Sequence, residues 1–249
     1  IQQLGAGDTL TDTLTVSTAD GTTHNVVITI NGADDAPTIG GVDTGAVTED
    51  VDPDADTLLE TTGALTISDT DAGEAAFVAG TINGTYGDLT IDAAGNWSYA
   101  ADNTQAAIQQ LGAGDSVTDT LTVTTADGST HNVVITINGA DDAPTIGGVD
   151  TGAVTEDVDP DADTLLETAG ALTISDADAG ESSFVAGTIN GTYGDLTIDA
   201  AGNWSYAADN TQAAIQQLGA GDSLTDTLTV TTADGSTHNV VITINGADD

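Results

Sequence analysis

The chain consists almost entirely of one sequence of 107 residues, repeated in tandem. Trp97 recurs as Trp204, 107 residues further along. The two complete units, Ala36–Asp142 and Ala143–Asp249, differ at only five positions, and the leading segment Ile1–Asp35 matches the end of the first unit except at four. Because 107 residues is a normal domain size, we predict one domain in each complete unit and the C-terminal part of a preceding repeat in residues 1–35.

Within each unit, apolar and polar residues alternate with a period of two. Leu89 and Ile91 are separated by Thr90, and Val133 shares its parity with Ile135 and Ile137. Alternation with threonine at the outward positions is typical of antiparallel strands that are buried on one face. Turn pairs such as Asn-Gly and Asp-Gly separate these runs.

These patterns predict an all-β fold. We expect tandem Ig-like or cadherin-like β-sandwich domains of about seven strands each, linked end to end, with Trp97 in the core. One stretch, residues 103–111 with the sequence NTQAAIQQL, breaks the alternation and predicts a short helix. Apolar residues make up 39% of the chain, which is enough for a packed core in each domain.

Charge excludes several classes of function. The chain has no Lys, no Arg and no Cys, and its 41 Asp and Glu residues give a formal net charge of −41. Nucleic-acid phosphates and anionic membranes repel such a surface, so we expect no nucleic-acid partner and no direct membrane insertion. Disulfides and thiolate metal sites are excluded, and no apolar run approaches the roughly 18 residues of a membrane span. Hard cations remain the expected ligands.

The acids gather in three groups in each repeat. The first is the junction segment, Asn31–Pro37, which recurs as Asn138–Pro144; the second is Glu49–Asp56; the third is Asp69–Glu74, which follows a strand. Alternate carboxylates on a turn direct several oxygens into one concavity, as Ca²⁺ requires with its roughly six to eight oxygen ligands. Since no positive side chain can relieve their repulsion, we predict Ca²⁺ as the cofactor. Plain solvated loops remain the alternative, above all for Asp52, Asp54 and Asp56, which could also bind a separate ion.

A long run of each unit also carries a family resemblance. It reads ALTISDTDAGEAAFVAGTINGTYGDLTIDAAGNWSYAADN, then LGAGDSVTDTLTVTTADGSTHNVVITINGADDAP, and covers nearly the whole unit. This sequence resembles the VCBS repeat of large bacterial surface adhesins, those of the RTX type included. The resemblance implies calcium-binding, Ig-like or cadherin-like extender domains, while the glycine-rich nonapeptide of RTX β-rolls is absent.

Shorter motifs resemble the calcium motifs of cadherins. The junction segment is similar to the linker D-x-N-D-N-A-P, with Ala33 where that family has Asn. Glu49 and Asp50 resemble the acidic motif after the first strand, and Asp69-x-Asp71 resembles D-x-D. Asp102 lies near the position of the D-R-E acid.

This resemblance implies calcium clusters where consecutive domains meet. One would combine Glu49 and Asp102 with the second junction segment and the D-x-D pair of the next domain, and the cluster before it would use the first junction segment. The implied ligands are Asn31, Asp34, Asp35, Glu49, Asp50, Asp69, Asp71, Asp102, Asn138, Asp141, Asp142, Glu156, Asp157, Asp176, Asp178 and Asp209.

The histidines and the paired carboxylates give weaker indications of function. His24, His131 and His238 occupy one position per repeat, and we expect satisfied histidines near the sheet rim rather than metal ligands. Paired carboxylates could in principle hydrolyse glycosides. These acids, however, lie in junction loops, appear in every copy and have no histidine or cation nearby to tune them, so we expect no enzyme.

A function that scales with copy number is mechanical. We therefore predict the calcium-rigidified extender, or spacer, of a bacterial cell-surface adhesin, secreted to the outside of the cell. Its partners would be neighbouring repeats, through calcium-bridged linkers, and distal adhesive domains elsewhere in the parent protein. Two alternatives stay open: the repeats are themselves adhesive, through homophilic or glycan contacts, or the array buffers calcium, although a buffer has no need of folded domains with a tryptophan core.

Overall fold

The structure is a computed structural model that describes residues 1–51, 56–158 and 163–248. It contains two compact units. Unit 1 comprises Ile1–Gln109 and Ala113–Ala140, and unit 2 comprises Gln110–Gly112 and Asp141–Asp249. The domain boundaries that the repeat predicts, after Asp35 and after Asp142, stay predictions.

Unit 1 begins with a hairpin of two strands, β1 (Thr9–Ser17) and β2 (Thr23–Asn31). The elements that follow it are β3 (Thr38–Gly41), β4 (Thr44–Thr48), β5 (Leu58–Ser68), β6 (Gly80–Asn83), β7 (Gly87–Ile91), β8 (Asn96–Asp102), α1 (Ala106–Gln109), β9 (Ser116–Thr124) and β10 (Thr130–Asn138). Unit 2 contains β11 (Thr145–Gly148), β12 (Thr151–Thr155), β13 (Leu165–Ser175), β14 (Gly187–Asn190), β15 (Gly194–Ile198), β16 (Asn203–Asp209), β17 (Ser223–Thr231) and β18 (Thr237–Asn245).

Each complete repeat is a sandwich of two sheets, which confirms the predicted fold class. In unit 1 the strand orders are β3-β5-β8-β7-β6 and β4-β10-β9, and unit 2 repeats them as β11-β13-β16-β15-β14 and β12-β18-β17. All neighbours are antiparallel except β4 with β10 and β12 with β18. The described residues form eight strands per sandwich rather than about seven, because the chain turns between β3 and β4 at Gly41, whose φ of 96° suits glycine.

The predicted helix is shorter than expected. Within residues 103–111 only Ala106–Gln109 is helical, and the residues of unit 2 that match it form turns. A four-residue helix has too few hydrogen bonds to be stable by itself. Tertiary packing holds the segment instead, because Ile108 and its counterpart Ile215 are fully buried.

The core confirms the period-two reading. Val133, Ile135 and Ile137 are fully buried, and Trp97 is 2% exposed. The indole N–H of Trp97 donates to the carbonyl of Val42 at 2.8 Å, so the one polar atom of the ring is satisfied. Gly63 makes room for this ring, since a Cβ there would lie 2.3 Å from its Cζ2.

Asp119 is a buried acid that the sequence analysis did not single out. It lies on β9 in phase with Leu121 and Val123 and is 2% exposed. Burial raises the pKa of this carboxyl, but four hydrogen bonds outweigh burial and lower it overall. The donors are the backbone N–H groups of Thr85 (2.8 Å), Tyr86 (3.0 Å) and Gly87 (3.0 Å) and the hydroxyl of Tyr99 (3.1 Å). Asp226 makes the same contacts in unit 2.

The leading hairpin differs from its two copies in burial. Leu14 and Ile28 are 51% and 45% exposed, whereas the identical positions Leu121 and Ile135 are 1% and 0% exposed. In the described residues, β2 pairs only with β1, while β10 pairs also with β4. The sandwich strands of a repeat are therefore what buries this face.

Asp119 and Asp226 should prove to be structural anchors of the hairpin turn between β6 and β7 and of its copy. Replacing both by Ala should lower the free energy of unfolding by about 2–4 kcal/mol per unit, because three backbone donors lose a charged acceptor. Urea denaturation measures this loss. Asp88→Ala with Asp195→Ala, at exposed acids of the same hairpins, should change stability by no more than about 0.5 kcal/mol. Equal effects of the two pairs would contradict the anchoring role.

Candidate metal centre

An acidic turn, Asp69–Glu74, forms the centre of the site in unit 1. It begins directly after β5, where the backbone N–H of Asp71 donates to Oδ1 of Asp69 at 2.9 Å, and Gly73 takes a φ of 88° that lets the chain turn. The junction segment reaches this turn through Asp35, whose N–H donates to Oδ2 of Asp71 at 2.7 Å. The structure thus brings together predicted ligands that are 36 residues apart in sequence.

Three carboxylates converge there. Oxygens of Asp34, Asp71 and Glu74 all lie within 4.8 Å of one another. Two oxygens bound to one Ca²⁺ at about 2.4 Å are at most about 4.8 Å apart, so one ion would reach all three. Asp71 is 3% exposed, and its Oδ1 has no hydrogen-bond donor among the described residues; the same holds for Oδ2 of Asp69 and Oε2 of Glu74.

Unit 2 repeats this centre in its own acidic turn, Asp176–Glu181. Oxygens of Asp141, Asp178 and Glu181 lie within 4.8 Å of one another, and the N–H of Asp142 donates to Oδ2 of Asp178 at 2.9 Å. Oδ2 of Asp176, Oδ1 of Asp178 and Oε2 of Glu181 are buried and have no hydrogen-bond donor among the described residues.

Three of the five differences between the repeats fall in or next to this second turn, at Ala177, Ser182 and Ser183. Ser182 replaces Ala75, and its hydroxyl accepts from the N–H of Asp176 at 2.9 Å. The substitution therefore gives the turn of unit 2 one more internal hydrogen bond.

Electrostatics at both centres favours a cation. Burial, with the carboxylates of Asp34, Asp71 and Asp69, raises the pKa of Glu74. Burial, with Asp178, Asp141 and Asp176, likewise raises the pKa of Glu181. These shifts express the cost of gathering charges of one sign without a counter-ion. Because the donors are carboxylate oxygens and the chain has no Lys or Arg, the residues fit a hard divalent ion such as Ca²⁺.

Glu74 and Glu181 are the site residues that the prediction missed. Glu74 belongs to the third acidic group but is not among the ligands that the motif resemblance implies. Its spacing of three residues from Asp71 on a tight turn was the available signal.

Glu49 lies at the end of the other sheet. Parallel pairing of β4 with β10 places the ends of both strands at one edge, so Glu49 meets the chain that leaves β10. Its N–H donates to the carbonyl of Asn138 at 3.0 Å, and its Oε1 accepts from the N–H of Ala140 at 2.8 Å. Glu156 repeats these contacts with Asn245 and Ala247, and its buried Oε2 has no hydrogen-bond donor among the described residues.

The remaining predicted ligands make local contacts. Asp50 Oδ1 accepts from the side-chain amides of Asn103 and Gln109, both at 3.0 Å, and Asp102 Oδ1 accepts from the N–H and hydroxyl of Thr104. Asp157 and Asp209 do the same in unit 2. These hydrogen bonds lower the pKa of Asp102 and of Asp209. The ligand roles of these four acids stay predictions.

The asparagines of the junction segments end their strands. The Asn138 amide donates to the carbonyl of Val47 at 3.1 Å, and Asn31 is exposed at the end of β2. Asp52 and Asp54 lie outside the described residues. Asp56 Oδ1 accepts from the N–H of Leu58 at 2.9 Å.

Two of the three histidines lie beside an acid, and His131 is within hydrogen-bond distance of it. His131 Nε2 lies 3.2 Å from Oδ2 of Asp43, and His238 Nε2 lies 3.4 Å from Oδ2 of Asp150. Neither belongs to the acidic centres.

The described part of the chain offers no helix that could span a membrane, since α1 has four residues. No curated protein sequence matches the chain.

Several solved structures are similar to it at low identity. The protocadherin GammaB4 extracellular domain has a TM-score of 0.47 at 15% identity, over 97% of this chain and 43% of that one. Mouse cadherin-23 EC22-24 has a TM-score of 0.46 at 16% identity, over 86% of this chain and 67% of that one. A Ca²⁺-stabilised adhesin with which an Antarctic bacterium binds ice has a TM-score of 0.26 at 18% identity, over 97% of this chain and 57% of that one.

The chain spans 43%, 48% and 57% of the first three structures it matches. None of these likenesses is close enough to carry a conclusion about function. The sequence family is decisive, because the bacterial cadherin-like domain matches residues 34–139 and again residues 141–246. The chain therefore belongs to the bacterial cadherin-like domain family and contains two copies of that domain.

Proposed function

We propose that the chain is a calcium-stiffened spacer of a bacterial cell-surface adhesin. The observation that carries this proposal is the donor-less Oδ1 of Asp71, 3% exposed, among carboxylates that no Lys or Arg can neutralise. A buried ionised oxygen without a donor is costly. A bound Ca²⁺ removes that cost and two negative charges at once.

Stiffening follows from which segments the ion would join. In unit 1, Asp34 belongs to the junction segment that leaves the β1–β2 hairpin, and Asp71 with Glu74 belongs to the sandwich that follows. Without the ion, these carboxylates repel one another and drive the junction segment away from the acidic turn. With it, the junction segment is fixed at Asp34, and Pro37 further limits its backbone.

The expected energy suits an extracellular module. Such modules bind Ca²⁺ with a Kd on the order of 10⁻⁴–10⁻³ M, and a tenfold excess over Kd stabilises the folded state by about 1.4 kcal/mol per site. Several sites together are comparable with the net stability of a small domain, about 5–15 kcal/mol. The chain would be stiff outside the cell and looser in a cytosol low in calcium.

Family membership supports an adhesion-related, extracellular setting, and it is membership of a domain family rather than of an enzyme family. Within that setting we propose the narrower VCBS repeat of an RTX-type adhesin, from the run of sequence quoted above. The partners would be neighbouring repeats, through calcium-bridged linkers, and distal adhesive domains of the parent protein.

Directly adhesive repeats are the alternative, and the exposed surface argues against them. No aromatic residue is among the exposed large hydrophobic residues of the described chain. In the sandwiches, the exposed large hydrophobic residues are single valines, such as Val42 and Val78. A stacking platform for glycans or a contiguous patch for homophilic contact is therefore missing from these faces.

Calcium should raise the melting temperature. We expect a shift of about 4–8 °C for each kcal/mol gained per domain, measured by calorimetry in millimolar calcium and in EDTA. Asp71→Asn with Asp178→Asn should remove most of the shift, because both centres lose a buried ligand charge. Asp88→Asn with Asp195→Asn removes the same net charge from exposed sites and should keep the shift. Coincident melts of the wild type in calcium and EDTA would contradict the proposal.

Calcium should also lengthen the chain. Small-angle scattering of the whole chain should give a larger maximum dimension in calcium than in EDTA, because a bound ion would restrict the conformations of the junction segments. The Asp71→Asn and Asp178→Asn variant should resemble the EDTA state in both buffers. A maximum dimension indifferent to calcium, in a protein that binds it, would contradict stiffening while leaving stabilisation intact.

Acid should stabilise the calcium-free protein. Because the pKa values of Glu74 and Glu181 are raised in the folded state, that state binds protons more tightly than the unfolded chain does. Stability therefore rises as pH falls from 7 through the raised values towards the unfolded value of about 4.3. Acids with lowered pKa, such as Asp119, lose their contribution only below about 3.9.

Melting temperature against pH in calcium-free buffer measures this gain. Glu74→Gln with Glu181→Gln should reduce the slope between pH 7 and about 4.5, the remainder coming from the general charge of the chain. In calcium the trend should reverse, since protons compete with the ion. An unchanged slope in the double variant would show that these two groups are not responsible.

A further inference from the structure

A loop that ends in glycine packs against each acidic centre. We name it the glycine loop; its copies are Gln3–Gly5, Gln110–Gly112 and Gln217–Gly219, and all three have the sequence Gln-Leu-Gly. In the sequence it follows or closes the stretch that predicts a short helix. The ligands that the motif resemblance implies do not include it.

In unit 1, the glycine loop attaches to the acidic turn by its backbone. The N–H of Ala72, in the middle of the turn, donates to the carbonyl of Gln3 at 3.1 Å. Gly5 is buried beside Glu74, and a Cβ built on Gly5 would lie 2.6 Å from Oε1 of that glutamate. The carboxylate of Glu74 therefore occupies the space that any other residue at position 5 would fill.

Unit 2 contains the same arrangement. The N–H of Ala179 donates to the carbonyl of Gln110 at 3.1 Å, and Gly112 is buried. A Cβ on Gly112 would lie 3.0 Å from Oε1 of Glu181 and 3.6 Å from Cβ of Asp178. The contact occurs twice, each time inside one compact unit and each time between the glycine loop of one repeat and the acidic turn of the next.

The third glycine loop shows what buries the other two. Gly219 has the same sequence neighbours as Gly112, yet it is exposed, and the nearest atom to a Cβ there is Oδ2 of Asp222 at 3.7 Å. The described residues place no acidic turn against this copy. Contact with the acidic turn, rather than the loop's own fold, is thus what encloses Gly5 and Gly112.

The junction segment and the glycine loop form one platform. A Cβ on Gly32 would lie 2.2 Å from the carbonyl oxygen of Gly5, and a Cβ on Gly246 would lie 2.4 Å from that of Gly219. The two backbones are in contact in both places, with an acidic turn against them in the first and without one in the second. The platform is therefore preformed, and the acidic turn docks on it.

We propose that Gly5 and Gly112 are positioning residues of the cation site. By lacking a side chain, each lets a glutamate carboxylate, of Glu74 or Glu181, close onto its cluster. Cation binding then fastens the glycine loop to the acidic turn as well as the junction segment. This inference rests on the proposed calcium binding and adds a second attachment to it.

A substitution at these glycines should change the affinity for the cation without changing the stability of the fold. Neither Gly5 nor Gly112 has a positive φ, so alanine fits their backbone. The atom that it would displace is the end of a flexible glutamate side chain, which swings aside at little cost to the fold but leaves the cluster. Affinity should suffer while stability without calcium does not.

The test is a calorimetric titration of the whole chain with Ca²⁺. Gly5→Ala with Gly112→Ala should weaken binding at two sites about tenfold, at the lower end of what supporting residues contribute to metal affinity. The melting temperature in EDTA should match that of the wild type. Gly219→Ala, the same change in the loop without an acidic turn, should leave the affinity unchanged.

A double-mutant cycle identifies the route of the effect. When Glu74 and Glu181 are both replaced by Ala, the two glycine substitutions should have no further effect on affinity, because the displaced carboxylates are already gone. An undiminished affinity in the glycine variant, or the same tenfold loss in the Glu74→Ala and Glu181→Ala background, would overturn the inference. A wild-type chain that binds no Ca²⁺ would instead overturn the proposed function itself.

Discussion

The acidic residues of this chain have no cationic side chain to pair with, and the rest of the structure depends on this constraint. With 41 acids and neither Lys nor Arg, each buried carboxylate needs N–H and O–H donors or an ion. Asp119 meets the requirement with four donors, and the pKa of its carboxyl is lowered. Asp71 is equally buried but has a donor on only one oxygen. The donor count around a buried acid thus separates a structural anchor from a candidate ligand.

The sheets decide where those acids meet. The turn after β5 returns to the junction segment, and the parallel pair β4 and β10 places Glu49 beside the chain that leaves β10. Neither Glu49 nor the acidic turn lies on a strand. On a strand, the period-two pattern requires alternate side chains to face the core. Both are on connections, which vary without cost to the core, and the surrounding sheets hold these connections still.

The sequence was sufficient to predict the fold class, because a strand that is buried on one face has apolar residues at every second position. Residues such as Ile135 and Trp97 are buried as that period predicts. Contacts between segments that are distant in the sequence were harder to predict. Asp119 shares the inward parity of its strand, but its three backbone donors lie 32 to 34 residues earlier in the chain. Glu74 was missed because its spacing of three residues from Asp71 was the one local signal. The approach to Gly5 that gives its carboxylate room in the site joins segments that are distant in the sequence.

Because the repeats are nearly identical, equivalent positions with the same local sequence can be compared within one chain. Gly112 and Gly219 have the same neighbours in sequence, and only the one that meets an acidic turn is buried. The difference cannot come from local propensity, since the local sequence is the same. It comes from the acidic turn, whose backbone and glutamate carboxylate lie against the loop. A device of this kind joins the glycine loop of one repeat to the acidic turn of the next, so under the proposed function its effect on stiffness would accumulate with every copy added.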